Sequence, residues 1–306
     1  MMKLLQIGTS NIMASQLALG CMRMAGLSKE RAKEVIETSL ESGINFFDHA
    51  DIYGDGESEA IFSKAIKEID VKREDIFIQT KCGIRNSFYD FSKEHIIQSA
   101  EGSLTRLGTD YLDVLALHRP DALMEPEEVS EAFYQLKKAG KVRYFGVSNF
   151  APTTVELLQQ SMSDKLIVNQ LQFGLQHAGM VSSQMNVNME NELGINRDGA
   201  VLDHMKLKKM TVQAWSPYQF GYFDGVFIDH PNFKELNECL NNFAESYGVT
   251  STGIATAWIS RHPANIQTII GSMNPSRIRD ITQASDIRLT RKEWYELYQA
   301  SGFTLL

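Results

Sequence analysis

Side chains able to do acid–base chemistry recur in this sequence at one kind of place, the point where a short apolar run ends. The run 44–48 ends at Asp48, with His49, Asp51 and Tyr53 just beyond; the run 76–80 ends at Lys81 and the run 112–117 at His118. Further runs close on Ser148 and Asn149, on Asn169 and Gln170, on Trp215 and Ser216, and on Gly271 and Ser272. A carboxylate, a phenol, an amine and an imidazole placed in this way offer general acid–base catalysis. Each also has a plainer reading alone: an Asp48–Lys81 ion pair filling a cavity, a turn tyrosine, a structural histidine. His49, Asp51 and His118 imitate the ligand set of a barrel hydrolase, but no H-E-x-x-H or compact ligand pair occurs, and a metal leaves Tyr53, Lys81 and the Ser148–Asn149 pair unexplained.

The elements that must carry these residues are read from periodicity. The run 17–20 precedes a helical segment in which Ser28 stands as N-cap and Ala32, Val35, Ile36 and Leu40 recur at spacings of three and four before Gly43. Arg31 stands where a capping box would have Glu. Helical patterns at 57–68, 92–107 and 127–139 follow the strands 44–48, 76–80 and 112–117. A helix opens near Pro152 after the strand 142–147, and strands at 166–171, 211–215 and 267–270 complete the series, the last followed by a helix opening at Pro275. Alternating elements imply a parallel sheet, and eight units without a change in composition predict one α/β domain over residues 1–306, a closed (β/α)8 TIM barrel. On the pattern alone a doubly wound open sheet competes. Residues 4–12 read as a short hairpin closing the barrel bottom. Residues 173–197, polar and without a period, read as one long loop, and 221–231 as another. In a barrel all strand C-termini gather on one face, so the residues named above would meet there.

At this point a resemblance becomes specific. Phe47-Asp48-His49-Ala50-Asp51-Ile52-Tyr53-Gly54 resembles the F-D-x-A-x-x-Y-G signature of the aldo-keto reductases. Gln79-Thr80-Lys81-Cys82-Gly83 is similar to that family's lysine strand, the segment from Tyr111 to His118 to its Y-[LI]-D-x-x-x-x-H strand, and the segment from Gly140 to Phe150 to its G-K-[IV]-R-x-x-G-V-S-N-F stretch. The resemblance implies a tetrad of Asp48, Tyr53, Lys81 and His118, with Tyr53 giving a proton to a carbonyl oxygen as a nicotinamide gives hydride to its carbon. The chemistry agrees: an ammonium favours the phenolate and is expected to lower a tyrosine's pKa from its usual value of about 10. Asp48 would keep Lys81 charged, and His118 would stabilise charge developing on the carbonyl oxygen.

The same resemblance implies NADPH as cofactor, with NADH second. Ser148, Asn149 and Gln170 would hold the carboxamide, to which hydroxyl and amide groups offer both donors and acceptors. Trp215 would stack on the nicotinamide ring, at a position where most members carry Tyr. Ser216, Pro217 and the loop to Gly221 would face the pyrophosphate. Gly271, Ser272 and Asn274 would lie along the adenosine phosphate at a helix N-terminus, with Arg277 forking onto a 2′-phosphate and Asp280 at the adenine. Many members have Lys where this chain has Gly271. No G-x-G-x-x-G occurs, which argues against a dinucleotide-binding open sheet. Met22, Arg23, His49, Asp51, Arg119 and Phe150, with parts of 173–191, are expected to wall the substrate pocket. Arg23 or Arg119 would favour an acidic substrate.

Composition narrows the rest. The chain has 306 residues, 43% of them hydrophobic, and a net charge of −8, which argues against nucleic acid or an anionic membrane as partner. Cys21, Cys82 and Cys239 are widely spaced and odd in number, as expected of buried thiols in a reducing cytoplasm. The N-terminal apolar run from Met1 is too short for a signal peptide, and no stretch has the roughly 18 apolar residues of a membrane span. No heptad seam points to a coiled-coil partner. An enzyme reducing a small carbonyl compound is the leading expectation. The alternative is a nicotinamide-binding redox sensor or regulatory subunit with little turnover, as some relatives of this family are channel-associated subunits.

Overall fold

A computed structural model describes residues 2–305. Met1, which opens the N-terminal run, and Leu306, at the end of the expected domain, lie outside the described residues. The strands in chain order are β1 (Leu4–Gln6), β2 (Met13–Ser15), β3 (Leu17–Gly20), β4 (Phe46–Asp48), β5 (Phe77–Cys82), β6 (Leu112–Leu117), β7 (Val142–Ser148), β8 (Leu166–Gln172), β9 (Thr211–Trp215), β10 (Gln219–Phe220), β11 (Gly225–Val226) and β12 (Ile266–Ile270). Strands β3 to β9 and β12 pair in parallel, and β12 pairs with both β9 and β3, closing the barrel. This is the expected (β/α)8 barrel rather than an open sheet.

The helices are α1 (Lys29–Glu41), α2 (Glu57–Ile66), α3 (Lys93–Leu107), α4 (Pro126–Lys138), α5 (Pro152–Gln160), α6 (Gly179–Met185), α7 (Val201–Lys208), α8 (Lys234–Tyr247), α9 (Ser251–Arg261), α10 (Pro275–Gln283) and α11 (Arg291–Ala300). Their starts follow from local chemistry. The hydroxyls of Ser28 and Ser92 accept from the amides of Arg31 and His95, and α4, α5 and α10 each begin with a proline whose missing N–H is harmless in a first turn. Gly108, at φ +63°, ends α3 in the left-handed region, where any side chain is strained.

Alternation along each strand separates two cores. Leu17, Leu19, Phe47, Ile78, Leu115, Leu117, Phe145 and Val147 pack outward against the helices. Ala18, Phe46, Val114, Val168 and Ile269 point inward and meet Leu5, Ile7, Ile12 and Ala14 of the N-terminal hairpin, which therefore forms an apolar floor. The hairpin is longer than expected: β1 pairs with β2 in the register Leu4–Ser15 to Gln6–Met13, so residues 4–12 are only part of it. The expected loop 173–197 contains α6 and a 3-10 turn at Glu192–Gly194. Helix α6 is too short to display a period, and it is fixed by packing, with the Ser182 hydroxyl 2.8 Å from that of Tyr298. The segment 221–231 contributes β11 to a two-stranded ribbon with β10.

Candidate active site

Because side chains alternate, Asp48 shares the inward face of Phe46, and Lys81 the inward face of Gln79. The Lys81 ammonium is fully buried and donates to both Asp48 oxygens at 2.8 and 2.9 Å, to the carbonyl of His49 at 2.6 Å and to the Tyr53 hydroxyl at 3.2 Å. Tyr53 and His118 stand nearly perpendicular, 81° between rings at a centroid distance of 5.9 Å. The four side chains thus meet at the C-terminal mouth of β4, β5 and β6.

The electrostatics correct one expectation. Burial pushes the Tyr53 hydroxyl above the ordinary phenol value; the Lys81 charge pulls it down but offsets only part. Without ligands Tyr53 therefore keeps its proton through neutral pH. Burial works against the Lys81 charge, yet Asp48 and Tyr53 outweigh it and its pKa is raised. Burial, then Lys81 and Arg119, hold His118 well below the usual histidine value, so its ring is neutral. Its Nδ1 is buried without a partner, which leaves Nε2 as the nitrogen able to reach the cleft.

A cleft of about 950 Å³ opens over these groups, lined by Asp48, Tyr53 and His118 at one end and by Asn274 and Arg277 at the other. Ser148, Asn149, Gln170, Trp215, Ser216, Pro217, Gly271 and Ser272 line it between, and Met22, Arg23 and Arg119 stand on its walls. The Trp215 indole N–H donates to Asn149 Oδ1 at 3.1 Å, and Asn149 Nδ2 donates to Ser148 Oγ at 2.8 Å. Asn149 and Ser216 take positive φ, +62° and +47°, turning the chain sharply where β7 and β9 end. Arg119 lies 5.8 Å from the Trp215 ring centroid and Phe223 stacks on that ring at 6.0 Å. Asn274 caps α10 by accepting from the Ser276 amide, and Gly271 has no heavy atom within 4 Å of where a Cβ would stand.

Several expected pocket residues lie elsewhere. His49 is fully buried on the outward face, edge-on to Phe62 at 4.7 Å, with burial and Lys81 lowering its pKa to about 3. It follows Asp48 directly and so points the opposite way. Asp51 turns behind the mouth toward Glu59 and Arg106, and Phe150 packs against Phe91 at 6.2 Å. Gly221 is outside the cleft lining, its place at the rim taken by Tyr222 and Phe223. Asp280 lines an adjoining hollow with Asn241, Ser251 and Thr252 that shares Arg277 with the cleft. The sequence reading missed three inward glutamines below the mouth, Gln79, Gln213 and Gln267, all buried. Strand alternation carried the signal, since Gln79 and Gln213 stand two residues before Lys81 and Trp215.

The pattern of the aldo/keto reductase family matches residues 16–301. The chain is 35% identical over 298 residues to a 6-dehydroglucose reductase of Agrobacterium fabrum, covering 93% of each chain. It is 34% identical to the oxidoreductase YdhF of Escherichia coli, with 94% of this chain and 93% of that one covered. Among solved structures, an aldo-keto reductase from Klebsiella pneumoniae in complex with NADPH superposes with a TM-score of 0.77 at 24% identity, covering 98% of this chain and 95% of the other, a likeness of fold.

Proposed function

The chain belongs to the aldo/keto reductase family and is an oxidoreductase, and from that premise we propose that it reduces an aldehyde or ketone with NADPH, Tyr53 giving the proton. One observation carries the reading: the Tyr53 hydroxyl opens on the cleft while accepting from a buried ammonium that Asp48 holds in place. A carbonyl oxygen lying between Tyr53 and His118 meets two donors. As negative charge grows on that oxygen, the Tyr53 O–H bond breaks toward it, Lys81 stabilises the phenolate left behind, and water later restores the proton. A reduced nicotinamide, when bound along the cleft, would supply hydride for the carbonyl carbon.

The residues along the cleft suit such a cofactor. Gln170 Nε2 is committed inward, to Asp48 at 3.0 Å and Gln213 at 3.3 Å, so its oxygen is the atom left to accept from a carboxamide. Arg277 has no carboxylate partner among the described residues and stands in the first turn of α10, which suits a 2′-phosphate and favours NADPH over NADH. The relatives named 6-dehydroglucose reductase support a polar, hydroxyl-rich aldehyde as substrate, with Arg23 and Arg119 as its hydrogen-bonding walls.

The test is loss of reduced-nicotinamide absorbance with NADPH or NADH and a panel of aldehydes, ketones and 6-dehydroglucose, beside Tyr53→Phe. Turnover by wild type and a fall of at least about 10²-fold in the variant, with cofactor binding retained, are the expected results. Tight cofactor binding without turnover of any carbonyl would instead make the protein a sensor. A variant as fast as wild type would remove Tyr53 from the mechanism.

A further inference from the structure

Beneath the tetrad, four glutamines from four strands form a hydrogen-bonded ladder across the barrel. Gln267 Nε2 donates to the Ser15 carbonyl at 2.8 Å, and Gln213 Nε2 donates to Gln267 Oε1 at 2.9 Å. Gln213 Oε1 in turn accepts from Gln79 Nε2 at 2.7 Å and from Gln170 Nε2 at 3.3 Å. The same two amide nitrogens donate to Asp48 Oδ1, at 2.7 and 3.0 Å. With Lys81, that one oxygen takes three donors.

The ladder's direction is locked by its ends. A backbone carbonyl and a carboxylate can only accept, so a chain of amides strung between them must strand one oxygen. The stranded atom is Gln79 Oε1, buried and without a partner. Turning the Gln79 amide over would set its oxygen against both Asp48 Oδ1 and Gln213 Oε1, two acceptor–acceptor contacts in place of two bonds. A buried orphan oxygen destabilises the fold by its lost hydration, and an apolar side chain of similar volume would remove that penalty.

Resting on the reductase reading above, we propose that Gln79, backed by Gln213 and Gln267, is a positioning residue for carbonyl reduction that keeps Asp48 a fixed carboxylate and so keeps Lys81 charged and aimed at Tyr53. The competing state is transfer of the Lys81 proton to Asp48, which in a dry interior abolishes both charges. Each donor on Asp48 Oδ1 opposes that transfer, since an amide N–H binds a carboxylate better than a carboxylic acid. Gln170 gives that oxygen the longer of the two amide bonds, 3.0 Å against 2.7 Å from Gln79, so Gln79 is the stronger of the two amide donors.

The experiment uses the full chain with NADPH and 4-nitrobenzaldehyde as probe, and compares Gln79→Met, Gln79→Glu and Gln267→Met with wild type. Gln79→Met should lose about tenfold in kcat, less than the roughly 10²-fold that a 1 Å misplacement can cost because Gln170 and Lys81 still hold Asp48, with a raised solvent deuterium isotope effect. Its affinity for NADPH should stay within about twofold and its Tm should not fall, because the orphan is gone. Gln267→Met frees Gln213 to turn over and should move kcat the same way by about twofold. Gln79→Glu sets a second carboxyl against Asp48, so the two must share a proton.

The other titratable groups facing Asp48 and Lys81 are Tyr53 and Cys21, both pushed up, and His49 and His118, both pushed down, so none ionises near neutrality. An ionisation appearing in kcat between about pH 5 and 8 in Gln79→Glu thus belongs to the introduced carboxyl. In cofactor-free protein its Tm, relative to wild type, should fall as pH rises through that window, because the introduced group binds its proton more tightly folded than unfolded. Wild-type kcat and isotope effect in a folded Gln79→Met, or in Gln267→Met if the first does not fold, would overturn the proposal. So would a pH-independent Tm difference in Gln79→Glu, a readout that needs no turnover and so separates failure of this proposal from failure of the reductase assignment.

Discussion

Two buried aspartates on nearby strands meet cations in opposite ways. Asp48, 3% exposed, faces into the barrel and takes its charge partner from Lys81, which is wholly buried and extends the network to a proton-bearing Tyr53 at an open cleft. Asp113, 0% exposed, faces out between sheet and helices. It accepts from Arg73 at 2.8 Å, from Arg143 at 3.1 Å and from the Ile78 amide at 2.9 Å, while both guanidiniums lie on the Tyr111 ring, 4.0 and 3.8 Å from its centroid. The outer cluster ties β5, β6 and β7 together and ends in solvent-washed arginines. The inner one ends in a hydroxyl able to give up hydrogen. A buried ion pair is thus not in itself a sign of chemistry; what it hands its charge to decides.

The largest effect that tests this contrast is on Lys81→Met. It should lower kcat by about 10²-fold or more and, by stranding the Asp48 charge, destabilise the fold by about 3 kcal/mol; a kcat near wild type would make the inner pair structural. Asp113→Ala should show the reverse, a loss of about 2 kcal/mol in urea unfolding with kcat per folded molecule unchanged. A fall in kcat there would erase the distinction.

Arg277, unlike Arg73 and Arg143, has no carboxylate partner among the described residues. Arg277→Ala should weaken NADPH about tenfold and NADH hardly at all by fluorescence titration, and equal losses would contradict a 2′-phosphate role. The smallest effect concerns a third carboxylate, Asp51, whose Oδ1 has no partner and whose pKa burial raises to about 6. Its proton is bound more tightly folded than unfolded, so its charge destabilises the fold increasingly from about pH 4 to 6 and fully above. Asp51→Asn should therefore raise stability at pH 8 by on the order of 1 kcal/mol and leave it unchanged at pH 4.

The barrel and the meeting of Asp48, Tyr53, Lys81 and His118 were legible because both follow from short-range regularities: the alternation of elements and the position of polar residues at strand ends. The same alternation, applied one residue further, assigns His49 to the outer face and Gln79, Gln213 and Gln267 to the inner one. Phe150 was less accessible, because the left-handed turn at Asn149 resets the parity after β7. The raised pKa of Tyr53 could not be read at all: sequence announces a lysine nearby but not how much water the fold removes. Helix α6 and the β10–β11 ribbon were invisible for want of length, each being held by tertiary contacts rather than by a pattern of its own.

The apolar floor has a kinetic meaning. Among the described residues, Leu5, Ile7, Ile12 and Ala14 pack across the barrel from below, and the cleft over Asp48, Tyr53 and His118 opens at its upper mouth. Reactants and products that share one doorway must pass in sequence, the deeper guest entering first and leaving last. With the nicotinamide end of the cofactor against Gln170, the carbonyl compound would arrive second and its alcohol depart first. Steady-state inhibition by the two products would then be asymmetric, with NADP+ competing against NADPH and the alcohol not.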